Sequence, residues 1–194
     1  GFGSSASTWF WGLGIRGDDL QNLHPVGFIH TDSYQTGVGV EPESGIGVID
    51  PDLGWYHVAM TYKDNSMTLY VDGIIVHSAF IPGNDILESE SLIIGGLNDP
   101  NPYIGTYTGG LDDVAVFNRR LSEEEINQYM QNIPLQDDDL IALWKFNDLS
   151  DNIAWDSSGN NNNGNIIGAI GAHLTDPCCE DIENDADGDG VCES

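Results

Sequence analysis

The stretch Asp185-Ala186-Asp187-Gly188-Asp189-Gly190-Val191-Cys192-Glu193 sets acidic residues at its first, third and fifth positions, with glycine at the sixth. Alternate side chains at that spacing converge on one point while the glycine permits a sharp turn, which is how a short loop gathers oxygen ligands for a hard divalent cation such as Ca2+. The candidate ligands there are Asp185, Asp187, Asp189 and Glu193. A second oxygen-rich stretch, Asp156-Ser157-Ser158-Gly159-Asn160, offers a carboxylate, amide oxygens and a tight glycine turn whose carbonyls can face inward. The run Asn160 to Asn163 leaves the register of any amide ligand open. The plain alternatives are an acidic disordered tail for the first stretch and a metal-free Asn/Gly turn for the second.

Groups suited to bond-breaking chemistry are sparse. Asp112 and Asp113 are adjacent, so on a strand they point to opposite faces, whereas retaining glycoside hydrolysis needs two carboxyl groups about 5 Å apart. Glu123, Glu124 and Glu125 fall in a capping sequence, no Gly-rich phosphate cradle or H-E-x-x-H is present, and the histidines are scattered singly. His57 lies inside a core strand, where a hydrogen-bonded structural role is expected. These patterns point away from an enzyme. With 32 acidic residues against 5 basic ones the formal charge is −27, which repels phosphate backbones and anionic membrane surfaces. Nucleic acid is therefore excluded as a partner, and no apolar run is long enough to span a bilayer. Bound divalent cations would relieve so large a self-repulsion; adaptation to salt or plain solubility would also account for it.

The elements that must position these groups are strands. Gly54 to Gly73 alternates with period two: Tyr56, Val58, Met60 and Tyr62 point one way, and Trp55, His57, Ala59 and Thr61 the other. Lys63-Asp64-Asn65-Ser66 supplies a turn, Met67, Leu69 and Val71 resume the alternation, and Asp72-Gly73 accepts the positive φ of a type I′ turn before a third strand, Ile74 to Phe80. Together these make an antiparallel meander. Further strand candidates are Trp9 to Ile15, Val26 to Ile29, Val38 to Val40 and Ser91 to Gly95; a turn-rich segment, Thr31 to Gly37, separates the second from the third. Ser122-Glu123-Glu124-Glu125 fits a capping box with Leu121 and Ile126 at the staple positions, so a short helix is predicted through about Met130.

The wording W-x-H-V-A-x-T-Y followed by L-Y-V-D-G, at Trp55 to Gly73, resembles laminin G-like and pentraxin-like members of the concanavalin A-like jelly-roll superfamily. Leu92 to Gly96, Gly110 to Asn118 and Arg120 to Ile126 are similar to that family's later segments. Leu140 to Asn147, Trp155 to Asn160 and Asn163 to Gly168 resemble the opening of the family's fold, here standing at the end. The resemblance covers roughly Trp9 to Ala169. It implies an all-β, antiparallel two-sheet jelly-roll sandwich with one short capping helix. It also implies a structural calcium ion held by Asp112, Asp156 and Asn160. The ending resembles a thrombospondin type 3 repeat; an EF-hand would need a bidentate Glu at position twelve, which the sequence does not reach.

A sandwich lacking its first strand exposes an unpaired edge and an apolar groove, so the strand around Trp144 and Phe146 must pack somewhere. It can complete its own domain, begin a second copy, or complete a neighbour by strand addition; one molecule containing all the parts places self-completion first. The expected organisation is a laminin G-like sandwich over residues 1–172, with 140–169 supplying that strand, and an acidic linker over 173–194. Rim aromatics Trp11, Tyr34, Tyr103 and Tyr107 are candidates for stacking on a sugar. The chain begins Gly1-Phe2-Gly3 without Met and without a visible signal peptide, as a mature product or a piece of a longer protein would. Cys178, Cys179 and Cys192, an odd number, leave an external partner or a free thiol. These features predict a non-catalytic, calcium-stabilised extracellular or cell-surface module that binds a glycan or protein. The alternatives are a fibre or sheath unit self-associating through the Trp144 strand and, remotely, a glycanase.

Overall fold

The structure, a computed structural model, describes residues 11–16, 23–31, 34–40, 49–50, 54–83, 92–96, 107, 109–131, 138–147 and 152–167. The chain divides into two compact units, Gly1–Gly105 with Arg120–Leu135, and Thr106–Arg119 with Gln136–Ser194. The described residues are mostly antiparallel β structure with a single short helix, consistent with the concanavalin A-like sandwich class.

In the first unit, β1 (Trp11–Arg16), β2 (His24–Thr31) and β3 (Tyr34–Val40) form one antiparallel sheet. β4 (Val58–Lys63), β5 (Ser66–Val71) and β6 (Ile74–Phe80) form the other. Both turns of the second sheet have two central residues at positive φ: Asp64 (52°) and Asn65 (62°), then Asp72 (48°) and Gly73 (73°). That is the type I′ geometry whose twist matches the flanking strands, and it closes the registers Lys63↔Ser66 and Val71↔Ile74. Asn65 has a second use. Its backbone carbonyl accepts from Ile81 N (2.8 Å) and its side-chain oxygen from Gly83 N (2.7 Å), while the Tyr62 hydroxyl donates to the carbonyls of Ile81 or Gly83. The chain leaving β6 is thereby pinned against the turn that opened β5, and Ile81 is driven into the core.

That core lies between the two sheets. Pro25, Gly27 and Ile29 are buried in β2, and Ile29 joins Met67, Leu69 and Ile81, with Trp11, Met60, Tyr62, Val76 and Ala79 packed around them. Burying side chains of this size is worth about 1.5–3 kcal/mol each. The sheets approach closely because Gly27 has no side chain: a Cβ there would stand 2.7 Å from Met60 Sδ and 3.0 Å from Leu69 Cδ2. Helix α1 (Glu123–Met130) starts as its sequence demands. Ser122 Oγ accepts from Glu125 N (3.2 Å), Glu125 Oε2 accepts from Ser122 N (2.8 Å), and Leu121 and Ile126 are buried as the staple.

In the second unit β7 (Val114–Phe117) pairs with β8 (Leu140–Trp144), and β9 (Ile153–Ala154) with β10 (Gly164–Asn165). Three sequence expectations need correction. β3 begins at Tyr34, inside the segment read as turn-rich, because pairing with β2 (Thr31↔Tyr34) extends the ladder over Tyr34 and Thr36, residue types that favour strands. Residues 92–96 are irregular, with Leu92 and Ile93 exposed, because no strand pairs with this apolar run among the described residues. Trp11 packs against the core and is not a rim aromatic. The thiols and the acidic stretch at 185–193 lie outside the described residues.

Candidate functional site

The loop from Asp156 to Asn163 borders β8 on the side away from β7. β8 and β7 pair with Val114 opposite Trp144, and Trp144 makes a bridge to Asp156 on its other side. Each outward-facing group of β8 whose bond is seen meets this loop. Leu143 N donates to Asp156 Oδ1 (3.0 Å), and Leu143 O accepts from Ser157 N (2.7 Å). Ile141 O accepts from Asn162 Nδ2 (2.9 Å), Asn160 Nδ2 (3.0 Å) and Ser158 Oγ (3.2 Å), and Leu140 O from Asn160 Nδ2 (2.8 Å). Trp144, 7% exposed, donates its Nε1–H to Asn162 O at 2.9 Å. Gly159 (φ 91°) and Asn161 (φ 61°) supply the left-handed turns that bring the asparagine side chains round.

Asp156 is the hub. Its Oδ1 accepts from Leu143 N and from Ser158 N (2.9 Å), and its Oδ2 from Asn162 N (2.9 Å) and Ser158 Oγ (2.9 Å). Desolvation works to raise the carboxyl pKa, but these hydrogen bonds together outweigh it and hold the group below its ordinary value. The Asp156 amide is in turn bound by Asn163 Oδ1 (2.9 Å).

The calcium ion implied at Asp112, Asp156 and Asn160 can be tested against this geometry, and the residues do not fit it. An ionised carboxylate offers about four lone-pair sites. At Asp156 those sites already face protein donors, and Asn160 turns its NH2 group toward strand carbonyls that a cation would otherwise use. Asp112 precedes β7, the strand paired to the other edge of β8, and its Oδ1 accepts from Asp113 N (2.8 Å). Among the described residues no group of three or more His, Cys, Asp or Glu side chains is gathered as a metal site. Sequence reading missed Ser158, Asn162 and Asn163 as working members of the loop. The signal available was the accounting rule that an edge strand's outward N–H and C=O groups must find partners.

Elsewhere polar groups are also spent on the backbone. Asp72 Oδ1 accepts from His57 N (2.9 Å). Within the His57 ring Nδ1 is buried without a hydrogen-bond partner, and the ring centroid lies 6.5 Å from that of Tyr129. Burial lowers the His57 pKa, and the charge of Asp72 only partly opposes this. Of the aromatics considered for sugar stacking, Tyr107 is partly exposed and donates to Gly110 O (3.1 Å), while Tyr103 and the side chain of Tyr34 lie outside what is described.

Two antiparallel sheets packed on a shared core, the second built from two tight hairpins, define a β-sandwich of the lectin-like type. The chain belongs to the Laminin_G_3 family, described as the concanavalin A-like lectin/glucanases superfamily, whose profile matches residues 28–127. That match takes in the meander, β7 and most of α1, and stops short of β8 and the Asp156 loop. Among solved structures, the crystal structure of an S-layer domain-containing protein (residues 221–444) from Clostridium thermocellum ATCC 27405 is similar at 19% identity. The likeness covers 66% of this chain and 70% of that one, with a TM-score of 0.37. No curated protein matches the chain.

Proposed function

We propose that this chain is a non-catalytic recognition module of a larger extracellular or cell-surface protein, presenting its loops to a glycan or to another extracellular protein. The observation that carries the reading is where the polar side chains go: Asp72, Asn65, Asp156, Asn160 and Asn162 are each bonded to backbone, so the groups that could do chemistry instead hold loops in place. Membership of a lectin-type superfamily supports a binding role, and the charge of −27 argues against nucleic acid and anionic membranes as targets. Among the described residues no helix is long and apolar enough to cross a membrane. Calcium enters this reading at the C-terminal stretch Asp185, Asp187, Asp189 and Glu193, a thrombospondin type 3-like linker whose carboxylates would hold the ion and stiffen the acidic segment.

Assembly into a fibre through the Trp144 strand is the weaker reading, since β8 is already paired to β7 of its own chain. The test is a panel of immobilised glycans and extracellular proteins probed with the full chain, with and without chelator. Saturable retention on one class of ligand is expected. Absence of retention on every class, together with concentration-dependent polymers, would replace this reading with the fibre.

A further inference from the structure

We infer that residues 156–163 form a metal-independent edge cap, in which side chains take the place of the strand that would otherwise lie beside β8. Three observations join here. The carbonyl of Ile141 and both the N–H and the carbonyl of Leu143 are met by Asn162, Asn160, Ser158, Asp156 and Ser157, which is the service a neighbouring strand performs in a sheet. The carboxylate that would bring in a cation is instead filled by N–H and O–H donors of the strand and of its own loop. Finally, the cap is latched to the strand's own side chain, because the Trp144 indole donates to Asn162 O.

An open edge invites another strand, and proteins close such edges with bulges, charges or covering segments. Here the covering segment reads the strand through carboxylate and amide groups that match its pattern of donors and acceptors. Strand exchange between chains at this edge is thereby blocked. A calcium ion at Asp156 would have to displace the Leu143 and Asn162 amides, opening the edge that the loop closes.

The experiment is amide hydrogen exchange on the full chain, read at Leu143 and Ser157, in excess calcium chloride and in EDTA. A parallel chain carrying Asp185→Asn, Asp187→Asn and Asp189→Asn removes any contribution of the C-terminal acidic stretch. Protection at Leu143 and Ser157 should be the same in both solutions and in both chains. It should fall about tenfold or more in Asp156→Asn, by loss of hydrogen bonds to a charged acceptor. The milder Asn162→Ala, which keeps the carboxylate and every backbone donor, should give a smaller drop confined to the β8 edge and serves if Asp156→Asn does not fold. A loss of protection in EDTA comparable to that of Asp156→Asn would overturn the inference in favour of a metal site. So would unchanged protection in Asn162→Ala and Asp156→Asn.

Discussion

The carboxylate of Asp156 accepts the backbone N–H of Leu143 at 3.0 Å across thirteen residues of chain, so one aspartate joins a turn to the strand it borders. Replacing it with alanine leaves the amides of Leu143, Ser158 and Asn162 without their acceptor. An orphaned donor costs about 1–3 kcal/mol where it is shielded from water, and the partial exposure of this loop places the expected loss toward the lower end. Equilibrium urea unfolding of Asp156→Ala against the parent measures it; an unchanged midpoint would show that the loop does not hold β8.

His57 gives the pH dependence. Its folded pKa lies below the ordinary 6.5, through burial, against the opposing pull of Asp72; the group facing it from the helix is the neutral Tyr129 ring. The unfolded chain therefore takes up its proton first as the pH falls, so the stabilisation is present above about pH 6.5 and is lost as the pH drops through the folded value. Unfolding midpoints should decline on that acid limb, and His57→Phe, which keeps a ring against Tyr129, should flatten it.

Gly27 is the spacer between the sheets. Valine at this position would drive methyl groups into Met60 Sδ and Leu69 Cδ2, and overpacking of this kind costs about 1–3 kcal/mol. Thermal denaturation of Gly27→Val should show the loss, and adding Met60→Ala should recover part of it. Full additivity of the two changes would mean that the sheets do not meet there.

Gly73 answers to two constraints. It sits at φ 73°, and a Cβ would collide with the Asn127 amide of helix α1. Gly73→Ala should therefore destabilise by about 1 kcal/mol or more from backbone strain alone. Asn127→Ala in the same chain should relieve the collision but not the strain, so chemical denaturation should register a partial rescue.

Much of this architecture was readable because its signals are local. Asp64-Asn65 and Asp72-Gly73 specify their turns within two residues, and Ser122 with Glu125 specifies the helix start within four. What was hidden depends on partners far along the chain. Gln35, Thr36 and Gly37 look like a turn until β2 is beside them, whereas Leu92 and Ile93 look like a strand yet lie exposed. Trp11 is an aromatic of either rim or core until the sheets close on it. The hydrogen bonds of Asp156 are of the same kind: oxygen-rich loops look alike in sequence whether they face a cation or a strand's amides, and the Leu143 amide that Asp156 accepts lies thirteen residues away.

The claim that this module holds rather than cuts is tested most directly by product analysis on whatever glycan or protein the full chain retains. Ligand should be recovered intact after prolonged incubation, with no new reducing ends or chain termini. Release of fragments that a single Glu-to-Gln or Asp-to-Asn change abolishes, with the fold preserved, would contradict it.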